Sequence, residues 1–167
     1  MPRKYRRYRS IYYRPSARYS VETRNINISG ALTSDESQHV MIAKIDSQGL
    51  RKAKNFTIGI ASSPFNLTNG QLNYGPIAFA LVYVPQGTTA SNMTVGTNDS
   101  ASLYEPNQNV ILSGVYTAGE TTYKVTSPLA RNLNSGDSIV LILKYINQKS
   151  PWPSIALFAQ VSYAITF

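Results

Sequence analysis

Positive charge is concentrated at the start of this 167-residue chain, and that concentration limits what can fold there. Residues 1–20 contain seven Lys and Arg side chains, five tyrosines and no Asp or Glu. A segment of this composition has too little apolar surface to offset the entropy lost when a chain is ordered. We therefore expect residues 1–20 to form a basic arm that is disordered when free and ordered by a partner, and residues 21–167 to form the folded domain.

The remainder of the chain is almost neutral. Residues 1–24 have a net charge of +7, whereas residues 25–167 have eight basic and seven acidic side chains, a net charge of +1. Charged residues make up about 10% of that second part, and soluble domains average about 25%. So few charges are typical of a surface that packs against other protein, although secreted β proteins share this composition.

The residue types that the sequence lacks exclude several kinds of site. The chain has no cysteine and one histidine, His39. It therefore has no disulfide, thiolate zinc site or cysteine nucleophile, and a Ser-His-Asp triad would have to use His39. The longest apolar run, Ile77–Val84, is far shorter than the ~20 residues that span a membrane, and no apolar stretch follows the basic residues. We expect neither membrane insertion nor a secretory signal.

Polar turn sequences divide the chain after the arm into short apolar segments. Phe56, Ile58 and Ile60 alternate with small or polar residues, as in a strand with one buried face. Ile77–Val84 and Ile139–Leu143 are continuous apolar runs, which are typical of strands buried on both faces. The predicted strands are Tyr19–Ile28, Gln38–Ile45, Ala53–Ala61, Ile77–Val84, Asn109–Tyr116, Thr122–Ser127, Ser138–Tyr145 and Ala156–Phe167.

Eight strands with regular turn signals, and no helical period, predict an all-β fold. Eight is the strand number of the jelly roll, so we expect an eight-stranded antiparallel jelly-roll sandwich over residues 21–167. Periodicity does not give the order of the strands. We interpret Leu103–Val115 and Ser127–Ile142 as two loops that each lead into a buried strand.

The arm combines the two kinds of side chain that bind single-stranded nucleic acid. Arginine binds phosphate oxygens through paired hydrogen bonds, and tyrosine rings stack on unpaired bases. Such binding does not depend on base sequence and should weaken steeply with salt. A nuclear-localisation signal or a solubilising tail are simpler interpretations, and nuclear import is compatible with binding. The predicted nucleic-acid-binding residues are Arg3, Lys4, Tyr5, Arg6, Arg7, Tyr8, Arg9, Arg14 and Arg18.

No part of the chain has the pattern of a catalytic site. A single histidine without a second metal-ligating side chain is most often packed or on the surface, so His39 is given no role. Asp35, Glu36 and Asp99 lie in loop sequence without calcium-binding spacing. Asp137, within Asn-Ser-Gly-Asp, is typical of a turn. We expect a protein that is not an enzyme, with no catalytic residue, no metal site and no cofactor.

Three stretches of the sequence have a more specific pattern. They read IAFALVYVPQGTT at 77–89, LYEPNQNVILSGV at 103–115 and SPLARNLNSGDSIVLIL at 127–143. With the Arg/Tyr-rich start, they resemble capsid proteins of circular Rep-encoding single-stranded DNA (CRESS-DNA) viruses, of the circovirus kind. The similar stretches are separate patches over most of residues 51–145, and they occur in the same order as in that family. This chain is shorter than many members of that family, so functions of their long surface insertions are not carried over.

The resemblance implies a capsid protein with a single jelly roll, similar to those of the smallest satellite viruses. Sixty copies would form a T=1 icosahedral shell, with the arm directed inward to a single-stranded DNA genome. It also implies location in the virion and, during assembly, in the host nucleus, which the arm would reach through the nuclear import machinery. Only the resemblance favours DNA over RNA, because arginine–phosphate contacts and tyrosine stacking serve either polymer.

Two other functional classes stay open. A ribosomal-type or other RNA-binding structural protein also has such a basic extension, but its cations usually spread over the body, which here has a net charge of +1. A carbohydrate-binding or cytokine-like jelly roll would use Trp152, the single tryptophan, to stack on a sugar. That class gives no reason for the arm.

Overall fold

All regular structure that the computed structural model describes is β. It describes residues 18–31, 38–46, 49–66, 70–89, 109–120, 122–146 and 153–166. Within these ranges no helix is long and apolar enough to cross a membrane. The strands are β1 (Tyr19–Ala31), β2 (Gln38–Lys44), β3 (Arg51–Ser62), β4 (Phe65–Asn66), β5 (Leu72–Asn73), β6 (Pro76–Val84), β7 (Val110–Thr117), β8 (Tyr123–Leu133), β9 (Ser138–Tyr145) and β10 (Ser154–Thr166).

The strands form two antiparallel sheets. Sheet A has the order β1-β10-β3-β8, and the short strands β4 and β5 extend it beside β10. Sheet B has the order β2-β9-β6-β7. Among the eight long strands, the first therefore pairs with the eighth, the second with the seventh, the third with the sixth and the fourth with the fifth. A long hairpin folded over itself has this pairing, which is that of a jelly-roll sandwich, as predicted.

A single apolar core fills the space between the sheets. Phe56, Ile58 and Ile60 of β3 are fully buried, as their alternation predicts. They belong to the same buried cluster as Phe79 of β6 and Leu141 of β9, so both sheets contribute to it. Burial of each such side chain stabilises the fold by roughly 1.5–3 kcal/mol, and the two sheets are therefore held together mainly by apolar contact.

The central strands of sheet B are buried on both faces, as their continuous apolar runs predict. Residues such as Ile77 and Leu143 point into the core, and the residues between them form a second buried cluster on the outward side. No member of this second cluster is more than 3% exposed. The outer cluster of sheet B, as we call it, consists of Ala78, Ala80, Val82, Val84, Val140 and Ile142.

All eight predicted strands are present, and β8 differs most from its prediction. We expected a strand to end at Ser127 and a loop to follow, which is wrong, because β8 continues to Leu133. This strand contains Pro128, which has no N–H to donate to a neighbouring strand. It is accommodated because β8 is an edge strand of sheet A and its pairing with β3 is interrupted between Ser127 and Ala130.

Two smaller differences concern other strands. The two-residue strands β4 and β5 were not predicted, since so short a segment has no measurable period. β1 begins at Tyr19, so the last two residues of the predicted arm pair with β10. The stretch Leu103–Val115 leads into a strand as predicted, since β7 begins at Val110, and residues 103–108 lie outside the described residues.

A bulge in β3 determines which side chains of sheet A face outward. The pairing of β3 with β8 shifts between Lys54 and Phe56. Asn55 there has a φ of 56°, a left-handed conformation that asparagine tolerates better than most residues. The extra residue leaves Ala53 and Phe56 in the core and places Lys54 and Thr57 on the opposite, outward side.

Candidate nucleic-acid interface

The junction between the arm and the sandwich lies at the start of β1. Arg18, one of the predicted binding residues, is exposed and directly precedes this strand. Tyr19 lies opposite Thr166 of β10, and the Lys54 Nζ is 3.9 Å from the centroid of its ring, a cation–π contact. The arm therefore joins the sandwich beside an outward-facing lysine of sheet A. The other predicted binding residues lie outside the described residues: Arg3, Lys4, Tyr5, Arg6, Arg7, Tyr8, Arg9 and Arg14.

The outward side of sheet A is polar and positively charged. Lys52 and Lys54 come from β3, and Lys124 comes from β8. Each ammonium group can donate a charge-assisted hydrogen bond to a phosphate oxygen. The outer face of sheet A consists of Tyr19, Val21, Thr23, Asn25, Asn27, Ser29, Lys52, Lys54, Thr57, Gly59, Ala61, Lys124, Thr126, Ala130, Asn132, Ala156, Phe158, Gln160, Ser162, Ala164 and Thr166.

Short polar side chains on this face bond to one another across β1 and β10. The hydroxyl oxygens of Thr23 and Ser162 are 3.2 Å apart. In the next row, the Gln160 Nε2 donates to the Asn25 Oδ1 at 3.0 Å. These polar side chains therefore bond to one another, and the lysines are the charged side chains of the face.

The carboxylates that the structure describes all lie away from the outer face of sheet A. Glu22 is on the inward side of β1, where its Oε2 accepts a 2.7 Å hydrogen bond from the Tyr163 hydroxyl. Asp46, Glu120 and Asp137 follow β2, β7 and β8 respectively. The positive charge of the outer face is therefore not offset on that face by any described acid, and its potential attracts polyanions.

A cavity of about 380 Å³ lies at one end of the sandwich, and its lining contains one hydrogen bond to a carboxylate and one ion pair. Tyr163 donates to Glu22, and the Lys44 Nζ is 3.1 Å from the Asp46 Oδ1. Burial raises the pKa of Tyr163, and the hydrogen bond to Glu22 raises it further, so the hydroxyl stays protonated and remains a donor. The geometry is that of a structural contact between β1 and β10.

Asp137 fixes the turn between β8 and β9, as its sequence context predicts. Its Oδ2 accepts hydrogen bonds from the Tyr83 hydroxyl at 2.7 Å and the Asn134 N–H at 2.8 Å, and its Oδ1 accepts one from the Gln86 N–H at 2.9 Å. Burial acts to raise the pKa of Asp137, but the hydrogen bonds from Asn134, Tyr83 and Gln86 outweigh it and hold the pKa below the usual value. Burial, with the bond to Asp137, raises the pKa of Tyr83 to about 12.

The remaining candidate residues do not come together. His39 is half-buried on β2, opposite Ile142 of β9. Within the described ranges, no group of three or more His, Asp or Glu side chains is placed to hold a metal ion. Asp35, Glu36 and Asp99, together with Trp152, lie outside the described residues.

Sequence reasoning missed the three lysines of the outer face. A signal was present, because Lys52 and Lys54 flank Ala53 with the spacing of side chains on one face of a strand. Lys124 lies within a predicted strand as well. Lys124 lies on the same face as these two lysines because β3 pairs with β8, with Lys124 opposite Gly59. The periodicity of the sequence does not reveal which strands pair.

Comparisons with known proteins give likenesses in structure but none in sequence. No protein-family model matches the chain, and no curated protein matches it. The chain is similar to a chain in the structure of infectious bursal disease virus, Gx strain, with 11% sequence identity and a TM-score of 0.46. The match covers 90% of this chain and 32% of that one, so this chain spans about a third of the length of the solved chain it matches.

Proposed function

We propose that this protein is the capsid protein of a small single-stranded DNA virus, which assembles into a closed icosahedral shell around the genome. The observation that carries the proposal is the junction of a basic arm to a nearly neutral jelly roll at the edge of a lysine-bearing sheet face. The capsid-type sequence stretches at 77–89, 103–115 and 127–143 support the same function.

The two parts of the chain divide the work of packaging. The arm neutralises phosphates, and the body packs against copies of itself without strong electrostatic repulsion because it has little net charge. In a T=1 shell of sixty copies, the seven cations of each arm amount to roughly 420 charges, against about one negative charge per nucleotide. The arms would therefore neutralise several hundred phosphates, and small cations would neutralise the rest.

Assembly follows from the same division. Contact between arms and one DNA molecule raises the local concentration of the bodies, so individually weak contacts between them act together. The protein has a structural role in the virion and is not an enzyme. The arm also directs newly made protein to the host nucleus, since a basic segment is the signal that nuclear import recognises.

Electron microscopy with absorbance measurements tests this function. The full chain, expressed and purified without added DNA, should form uniform closed particles, and their A260/A280 ratio should be that of a nucleoprotein. Deletion of residues 2–18 should leave a folded body with the absorbance ratio of protein alone. Monomers at every salt concentration, with or without added DNA, would contradict the shell, and a truncated protein that still carries full-length genome would contradict the role of the arm.

A further inference from the structure

Gly59 lies in the middle of β3 at a position where neither the backbone nor the packing requires glycine. It does not have the positive φ that favours glycine, and a Cβ added to it would meet no atom within 4 Å. Gly114 of β7 is different, because a Cβ there would lie 2.7 Å from the Phe79 ring. Glycine weakens a strand interior and often marks a place where a ligand or another backbone approaches closely. Gly59 therefore leaves an open space above the middle of β3 that a larger residue would fill.

Groups suited to nucleic acid surround this space on the outer face of sheet A. Gly59 pairs with Gln160 of β10 on one side and with Lys124 of β8 on the other. One row further along, Phe158 lies between Asn27 and Ala61, and 43% of it is exposed. An exposed phenylalanine on a sheet presents a surface on which any base can stack.

The ring of Phe158 is accessible because its neighbours are small. It borders an open groove of about 450 Å³ that Ala61 and Ala156 also line. From Phe158 to Ala164, which lies opposite Lys54, β10 extends over six residues, or about 20 Å. This path leads from the aromatic ring, past Gly59 and Lys124, to the lysine that contacts Tyr19 at the root of the arm.

We propose that the outer face of sheet A is a second binding site for single-stranded nucleic acid. The sugar-phosphate backbone passes over Gly59, Lys124 and Lys54 contact phosphates, and a base stacks on Phe158. The charge of the face and its continuity with the arm favour a polyanion over another protein as the occupant. This inference rests on the proposed function, because it names a further contact of the body with the same packaged strand.

The test measures binding of fluorescein-labelled oligo-dT to the full chain, at several salt concentrations. Phe158→Ala should weaken binding about tenfold, because it removes a stacked base, and Phe158→Trp should restore it. Gly59→Leu should weaken binding by a similar factor, because its side chain fills the path of the backbone. Lys124→Gln should lower the slope of log K against log salt by about 0.7, and the matched control Lys144→Gln, in sheet B, should not change it.

Two further measurements make each outcome decisive. Urea unfolding checks that Gly59→Leu is folded, and ultraviolet crosslinking of oligo-dT to the unmutated chain should label the peptide that contains Phe158. Binding that these variants leave unchanged, although deletion of residues 2–18 abolishes it, would overturn the sheet site and leave the arm's function intact. Shell formation that Gly59→Leu blocks while oligo-dT binding is normal would also overturn it, since the face would then contact another copy of the chain.

Discussion

The two outward sides of the sandwich differ in what they present to their surroundings. The outer face of sheet A has three lysines, short polar side chains and two exposed apolar residues, Val21 and Phe158. The outer cluster of sheet B consists of alanine, valine and isoleucine, and solvent hardly reaches it. Both sheets have four long strands and share one core. The difference therefore lies in the alternate residues of each strand, which are mostly polar or charged on the outward side of sheet A and apolar on that of sheet B.

The largest expected effect comes from introducing a carboxylate on each outward side, where it would be buried on sheet B and exposed on sheet A. Val82→Asp places a carboxylate in the outer cluster of sheet B, where the wild-type residue has no exposed surface. Unpaired burial of that charge should destabilise the protein by about 4 kcal/mol. Gln160→Asp, on the central strand of sheet A, should cost less than about 1 kcal/mol because its side chain is solvated. Urea denaturation of both variants checks this, and equal losses would contradict the contrast.

Substitution of Asp137, which fixes one end of sheet B, should have the next largest effect on the free energy of unfolding. Asp137→Asn keeps the shape but removes the charge that strengthens three hydrogen bonds, so it should cost about 2–3 kcal/mol near neutral pH. The pKa of Asp137 is lower in the folded than in the unfolded protein, so its stabilisation is present above the usual value of 3.8 and is lost as pH falls below it.

The measurement is urea denaturation of the wild type and of Asp137→Asn at several pH values. The difference in unfolding free energy between the two proteins should be constant above about pH 5 and should shrink as the carboxyl is protonated. A difference that stays constant down to pH 2 would show that the charge of Asp137 does not contribute.

The smallest effects on stability are expected for substitutions of two buried tyrosines of sheet B, which differ in their hydrogen bonds. The Tyr116 hydroxyl accepts a 3.0 Å hydrogen bond from the N–H of Ser62, in sheet A, and donates one to the Glu120 carbonyl. The Tyr145 hydroxyl is equally buried but has no partner among the described residues, and burial raises its pKa to about 12. Tyr116→Phe should therefore cost about 1–2 kcal/mol, whereas Tyr145→Phe should be neutral or stabilising by up to about 1 kcal/mol.

Thermal and urea unfolding of the two phenylalanine variants, each compared with the wild type, tests this pair. Both substitutions remove one oxygen from a fully enclosed ring, so differences in apolar packing largely cancel. A loss of similar size in both variants would show that the Tyr145 hydroxyl does have a hydrogen-bond partner in solution.

Most of the fold could be predicted because the strands have unusually clear patterns. Continuous apolar runs identified β6 and β9 as strands buried on both faces, and alternation identified the inward residues of β3. The extension of β8 beyond Pro128 could not be predicted in the same way. It depends on β8 being an edge strand, which is a property of the sheet and not of the local sequence.

The candidate site was predictable only in part. Charge and aromatic content identified the arm, and that prediction stays a prediction for the residues that the structure does not describe. The outer face of sheet A depends on cross-strand neighbours such as Lys124 and Gly59, which are 65 positions apart in the chain. A residue pattern within one strand cannot reveal such a pair, and neither can it show that Phe158 has small neighbours.

The pairing of β1 with β10 has a consequence for how the protein is made. Tyr19 lies opposite Thr166 and Ala31 opposite Ser154, so β1 has no partner until the ribosome has synthesised β10. β10 is also the neighbour of β3, and sheet A therefore cannot close before that point. Pairing across so many residues is slow, on the order of milliseconds to seconds for β sandwiches. The residues just before β1 therefore leave the ribosome well before the sandwich that follows them is folded.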